Sequence, residues 1–245
     1  MRDVLLKYAE KYETTQFLNG DPSWFMHQVA GRENQETMAF LASCLSYGSR
    51  KQFLPKIQML LDWSEGEPYL WVREGRFMKQ FHEDDTTCFY RLYTYSIMYQ
   101  FLCVFRQLLI DYCTLGNYVH QNATDGLTAV NAICSYFGSR GVSVVVPKNT
   151  QSACKRVCMF LRWMTRINSP VDLGLWADFI DRRSLIMPLD THVVNQSLRL
   201  GLLTSKTASM TTARNLTRSL AAVFPDDPLR GDFALFGYGV DENKS

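Results

Sequence analysis

Two side chains occupy places where the surrounding sequence gives them a chemical use. Lys155 lies near the start of Ser152-Ala153-Cys154-Lys155-Arg156-Val157-Cys158-Met159-Phe160-Leu161-Arg162-Trp163-Met164-Thr165-Arg166. Steps of 100° place Val157, Phe160, Leu161, Met164 and Ile167 on one side of a helix running from Ser152 to Ile167, with Lys155, Arg162 and Arg166 on the other. A basic stripe of this kind fits phosphates, and it equally fits a solvated face with acidic neighbours. Lys155 falls in the first turn, where the positive end of the helix dipole disfavours an ammonium, so it suits a nucleophile if a group nearby takes its proton. Asp190 is the best candidate acceptor. It precedes a helix that opens at Thr191, so a purely structural N-cap is its alternative role.

Other chemistries find little support. No glycine-rich loop ends in Lys-Ser/Thr, and Gly237-Tyr238-Gly239 neither continues to a third glycine nor follows a strand. The four histidines, His27, His82, His120 and His192, are far apart, and Cys154 with Cys158 lacks a second pair, so no metal site is expected. The run His82-Glu83-Asp84-Asp85 reads as a solvated acidic turn. No cofactor is expected.

The elements that must carry Lys155 and Asp190 read as helices. Met38, Leu41 and Leu45 are spaced three and four apart, and Phe53, Ile57, Leu60 and Leu61 resume the pattern after Tyr47-Gly48-Ser49. Helical spacing continues from Phe89 to Tyr112 and from Leu127 to Phe137. Only Val142 to Val146 looks strand-like, and Pro147 ends it, so Gly138 to Thr150 is expected to be an extended loop or short hairpin. The helix after Asp190 should end at Leu200-Gly201, one further helix should run from Thr207 to Phe224, and a last one from Leu229 to Gly237, with Asp241 to Ser245 frayed. The sequence therefore predicts an all-α fold.

At 245 residues, 47% apolar, 20% charged and with a formal net charge of +2, the chain belongs with ordinary globular proteins, as one compact unit or two intimate lobes. The seven cysteines, Cys44, Cys88, Cys103, Cys113, Cys134, Cys154 and Cys158, are odd in number and sit in apolar segments, so they read as reduced core residues. Met1 to Glu13 mixes charge with apolar residues and lacks the pattern of an export signal. The most apolar window, Cys88 to Cys113, is interrupted by Arg91, Gln100 and Arg106, which argues against a membrane span. A cytoplasmic location and no membrane partner are the expectations.

A resemblance sharpens this reading. Pro188-Leu189-Asp190-Thr191-His192-Val193, followed by Leu198-Arg199-Leu200-Gly201-Leu202, resembles the "V-D-T-H-V … R-L-G-L" signature of the helix-hairpin-helix DNA glycosylase superfamily. Ala39-Phe40-Leu41-Ala42-Ser43-Cys44-Leu45-Ser46-Tyr47 resembles the early helix of those enzymes, whose following turn often meets the DNA. The likeness spans residues 30 to 240. The chain departs from the commoner members in lacking the hairpin "L-P-G-V-G-x-K-T-A" and in the longer interval from Lys155 to Asp190. In these respects it looks closer to the archaeal 8-oxoguanine glycosylases, which use a modified hairpin and a more distant lysine. SACKRVCMFLRWMTR and DFALFGYGV are specifically similar to a bacterial family of conserved hypothetical proteins. No cysteine follows Cys158, so the iron–sulfur cluster of some relatives is not expected.

The resemblance implies a two-lobed helical fold: a middle lobe, 34–168, carrying the modified hairpin and Lys155, and a second lobe, 1–33 plus 169–245, carrying Asp190, with the pair facing each other across the cleft. It implies base-excision repair, with Lys155 and Asp190 catalytic in removing an oxidised purine through a Schiff base, and strand cleavage to follow. The expected partner is double-stranded DNA with a damaged base, bound by a monomer. Arg162 and Arg166, with Tyr47, Ser49, Arg50 and Lys51, are the expected duplex contacts. Trp163, Phe236 and Tyr238 are candidates to stack on an extruded base, with a place in the core as their alternative. If the scaffold has lost its chemistry, a non-catalytic DNA- or RNA-binding module or a helical protein-interaction domain is the alternative.

Overall fold

The computed structural model describes residues 1–242. Eleven α-helices occur among them: α1 Arg2–Tyr12, α2 Arg32–Leu45, α3 Arg50–Trp63, α4 Pro68–Arg73, α5 Tyr95–Tyr112, α6 Leu115–Asn122, α7 Gly126–Gly138, α8 Lys155–Thr165, α9 Thr191–Arg199, α10 Met210–Ala221 and α11 Arg230–Glu242. The fold is mostly helical. Four helix starts follow from their capping residues, since the side chains of Thr94, Thr114, Asp190 and Ser209 each accept a backbone N–H from the first turn they precede. At the other end of α9, Gly201 takes the left-handed conformation with φ +68°, as its position after the last turn requires.

Strand structure appears where helix was expected. Cys88–Tyr90 (β1) and Tyr93–Thr94 (β2) pair antiparallel as a two-residue hairpin, so α5 begins at Tyr95 and not at Phe89. Aromatic and threonine side chains fit a pleated surface, and the Thr94 hydroxyl then caps the helix. Val142 to Val146 forms turns and no strand. Helix α8 starts at Lys155 and stops at Thr165, because Cys154 before it adopts a left-handed φ of +46° and Ser152 pairs instead with Ser209. Helix α10 is shorter than the spacing predicted, while α11 extends past Gly237 to Glu242. Asp241, expected to be frayed, receives Lys11 and the Tyr12 hydroxyl at 2.6 Å each. Of the cysteines, Cys88 and Cys113 are exposed and Cys103 is half-buried, so only four are core residues.

The chain divides into two compact units, Met1–Asn19 with Thr124–Val130 and Thr150–Ser245, and Gly20–Ala123 with Asn131–Asn149. The boundary before Thr150 assigns α8 and Lys155 to the same unit as Asp190, unlike the 34–168 lobe expected from the sequence. In the second unit α2 is buried from Glu36 to Leu45. There the rings of Phe40, Phe101, Phe105 and Phe137 pack with centroids between 5.0 and 6.3 Å apart. The buried Glu36 carboxylate accepts the N–H groups of Leu115 at 2.8 Å and Gly116 at 3.1 Å, which satisfies the start of α6. Glu36→Ala is expected to lower stability by about 2 kcal/mol or more, because it strands two buried donors; a urea midpoint unchanged from the wild type would refute that account.

In the first unit α1 packs along α11, and α11 also meets α9. A Cβ on Gly237 would lie within 2.7 Å of three Tyr12 ring atoms, so only glycine admits that ring against α11. Trp163 and Trp176 fill the core of this unit, with Phe160 edge-on to Trp176 at 5.1 Å.

Candidate functional site

The first residue of α8 and the residue that caps α9 meet within one unit. Lys155 Nζ lies 3.1 Å from Asp190 Oδ2. Asp190 reaches that position with extended backbone, and its other oxygen, Oδ1, accepts the Val193 N–H at 2.9 Å. The cap and the ion pair thus coexist on one carboxylate, with one oxygen assigned to each. The two side chains are 35% and 37% exposed, so a ligand can reach them. Burial pushes the Asp190 carboxyl up, but the Lys155 charge, the Val193 N–H and His192 outweigh it and hold the group below its ordinary range. Asp190 therefore stays ionised at neutral pH. Its share of stability is present above the ordinary carboxylate range and is lost as pH falls through the lowered value. In Lys155→Ala the Asp190 carboxyl is expected to titrate at higher pH than in the wild type, as read by carbon NMR of labelled aspartate; an unmoved midpoint would remove Lys155 as the cause.

The rest of the basic stripe does not face solvent. Arg162 is buried, with Nε 3.2 Å from Asp172 Oδ1 and Nη1 paired with Asp232. Arg166, 1% exposed, donates Nε to Asp227 Oδ1 at 2.9 Å, Nη2 to Asp227 Oδ2 at 2.8 Å and to Glu13 Oε1 at 2.6 Å, and Nη1 to Asp172. Glu13 also receives Arg230 Nε at 2.9 Å. These carboxylates consume the charge expected to meet phosphates, so Arg162 and Arg166 are not duplex contacts but internal struts at the C-terminal end of α8. Burial would discharge Arg166, yet Asp172, Asp227 and Glu13 raise its proton affinity above the ordinary value and hold it charged.

Asp232 links the strut to the site. Burial pushes its carboxyl up, Arg162 pulls it down, and the charges of Asp190 and Lys155 both reach it, in opposite senses. Sequence spacing marks neither Asp232 nor Asp172, because the arginines they neutralise are 70 residues away for Asp232 and 10 and 6 for Asp172. His192 and Gln196, one turn apart on α9, both crowd the place where a Cβ on Gly239 would stand, at 2.6 and 2.9 Å from their Nε2 atoms.

The remaining expected residues fall into three groups. Trp163 is fully buried and cannot stack on a base, which corrects that expectation. Phe236 and Tyr238 are half-buried, with Phe236 edge-on to Tyr12 and Phe17, and Tyr238 edge-on to Tyr8. Ser49, Arg50 and Lys51 are exposed in the turn opening α3, Tyr47 is half-buried beside them, and Arg50 Nη2 lies 3.3 Å from Asp21. These residues belong to the other compact unit, whereas Lys155 and Asp190, the expected catalytic pair, meet within one unit. Among the described residues no group of three histidine, cysteine, aspartate or glutamate side chains could hold a metal ion, and no helix is long and apolar enough to cross a membrane.

Residues 21–241 match the family described as "Protein of unknown function (DUF2400)". The chain belongs to that family. The match takes in Lys155, Asp190 and the Asp172, Asp227 and Asp232 carboxylates, while Glu13 lies before it. No match was found among curated proteins or among solved structures.

Proposed function

We propose that this member of the DUF2400 family is a DNA base-excision glycosylase with lyase activity, removing an oxidised purine such as 8-oxoguanine. The fold belonging to that reading is the helix-hairpin-helix glycosylase type with a divergent hairpin. The observation that carries the proposal is the half-exposed pair of Lys155 Nζ and Asp190 Oδ2 at 3.1 Å, with the carboxylate fixed as the cap of α9. A surface ion pair of ordinary kind needs neither the fixed cap nor a desolvated second carboxylate such as Asp232 close enough to feel both charges.

The chemistry follows from these groups. A duplex laid over the pair excludes water and disfavours both charges, so the Lys155 proton can pass to Asp190 Oδ2. The free amine attacks C1′ of the damaged nucleoside, the C1′–N9 bond breaks, and its electron pair leaves with the purine, which takes up a proton. That proton comes from Asp190, whose restored carboxylate then offsets positive charge on the sugar. One proton of the attacking nitrogen passes by way of Asp190 to O4′ as the C1′–O4′ bond opens, which leaves the protonated Schiff base on Lys155. Loss of a C2′ proton then expels the 3′ phosphate and cuts the strand. With Arg162 and Arg166 committed internally, duplex contacts on this reading fall to Ser49, Arg50 and Lys51, assisted by Tyr47.

Borohydride reduction tests the proposal. Wild-type protein incubated with a duplex carrying 8-oxoguanine or an abasic site is expected to give a covalent protein–DNA adduct, and none with an undamaged duplex. Salt-sensitive duplex binding with no adduct and no base release over a panel of lesions would move the reading to a non-catalytic binding module.

A further inference from the structure

The far end of α8 opens onto a cleft that the proposed chemistry does not use. Lys155 starts the helix and Arg166 follows its last residue, about 16 Å further on at 1.5 Å per residue. The cleft there has a volume of about 480 Å³, in the range of small-molecule sites, and lies wholly within the first compact unit. Three arginines and three acids line it, so bulk charge selects no ligand and directed hydrogen bonds must do so. Arg166 is spent, since Asp227 takes its Nε, Glu13 and Asp227 its Nη2, and Asp172 its Nη1. Arg182 and Arg230 are held but not spent. Arg182 donates Nε to the Asp226 carbonyl at 2.8 Å, and Arg230 donates Nε to Glu13 Oε2 at 2.9 Å. Among the described residues no hydrogen bond reaches the Nη atoms of either arginine. Each guanidinium is thus fixed at one N–H with its other donors unfilled.

A lone half-exposed arginine calls for no ligand. Two that are anchored at Nε and line one concave cleft form a preset oxyanion site. Their forks together match the three terminal oxygens of a phosphate monoester, whereas a carboxylate is filled by a single fork. The Asp226 carboxylate also lines the cleft, is exposed, and receives no hydrogen bond among the described residues. An ionised carboxylate only accepts, so it calls for neighbouring N–H donors on the ligand. The guanine ring carries two on one edge, its imide N–H and its amino group, where adenine sets a donor beside an acceptor. Ile167, 44% exposed, and Pro225 give the cleft an apolar wall suited to the face of such a ring.

We infer that this cleft is a binding site for a guanine nucleoside monophosphate, with Arg182 and Arg230 on the phosphate and Asp226 on the base edge. The site is separate from the Lys155–Asp190 pair and does not depend on the glycosylase reading.

Isothermal titration calorimetry of the full chain with guanosine 5′-monophosphate is expected to give a Kd below about 1 mM. Guanosine, inorganic phosphate and adenosine 5′-monophosphate each lack one of the matched groups and should bind at least about tenfold more weakly. Arg182→Lys and Arg230→Lys keep the charge but lose the fork, and each should weaken the guanine nucleotide by about tenfold. Asp226→Asn should weaken it by about as much and bring it level with the adenine nucleotide, since an amide both donates and accepts. Lys155→Ala should bind it as the wild type does. No binding of guanosine monophosphate at about 5 mM would overturn the inference. So would any of the three analogues binding as tightly as the guanine nucleotide. Binding lost in Lys155→Ala and kept in Arg182→Lys would put the nucleotide at the ion pair and overturn the cleft. The titration contains no DNA, so its failure leaves the glycosylase reading to the borohydride test, and failure of that test leaves the cleft to the titration.

Discussion

Lys155→Ala is expected to abolish the borohydride-stable adduct and to lower strand cleavage at an abasic site by at least about 10³-fold, because no other group in the pair can form the carbon–nitrogen bond. The loss should come without unfolding. The ion pair it removes is about one-third exposed on each side, and such pairs contribute about 1 kcal/mol or less after solvent screening. Asp190→Asn separates the two duties of that residue. Asparagine caps a helix about as well as aspartate, so the hydrogen bond to Val193 and the start of α9 survive, while the negative charge on which the proposed chemistry depends is lost. Base release should fall by about 10²-fold or more with an unchanged thermal midpoint. A falling midpoint with unchanged release would return Asp190 to a purely structural cap. An adduct of wild-type yield in Lys155→Ala would place the nucleophile elsewhere and remove the main support of the proposed chemistry.

These two residues were also the most legible part of the site in the sequence, and the reason is local. A first-turn lysine and an N-cap aspartate are defined by their own helices, so helical periodicity and capping preference find them without knowledge of the packing. The helices themselves were legible for the same reason, and the boundaries moved where a backbone feature intervened: the left-handed Cys154 shortened α8, and the hairpin displaced the start of α5. The other residues of the stripe could not be placed this way. Arg162 and Arg166 share a helix face with Lys155, and periodicity assigns all three to one side, yet their surroundings come from Glu13, Asp172, Asp227 and Asp232 on other segments. A basic face reads identically whether water or a buried carboxylate stands opposite it. Trp163 failed similarly, since an aromatic residue suits a base-stacking wall and a core alike.

The buried cluster yields the largest expected effect on stability. Arg166 sits among three carboxylates, Glu13, Asp172 and Asp227, and is their shared counter-charge. Arg166→Met preserves much of the apolar volume, takes from Asp227 its arginine partner and leaves Asp172 with Arg162 and Glu13 with Arg230, so an under-compensated buried charge should cost about 3–5 kcal/mol at neutral pH. The pH dependence identifies the cause. In the wild type burial pushes the Glu13 carboxyl up, but Arg166 and Arg230 outweigh it and hold the group below its ordinary value. Its contribution is therefore present above the ordinary carboxylate range and is lost as pH falls through the lowered value. Without Arg166 the balance tips toward burial, the folded-state carboxyls bind protons more readily than the unfolded ones, and lowering the pH relieves the variant. The stability gap between wild type and Arg166→Met should accordingly be widest near neutrality and narrow as pH drops through the carboxylate range. Urea unfolding at neutral pH and at about pH 4.5 reads this directly. A gap that is constant with pH would mean that lost packing of the arginine stem, and not the stranded charge, is what destabilises α8. A gap that narrows ties the placement of Lys155 at the other end of that helix to an ionic strut, since α8 carries the lysine at its first residue and Arg162 within its final turn.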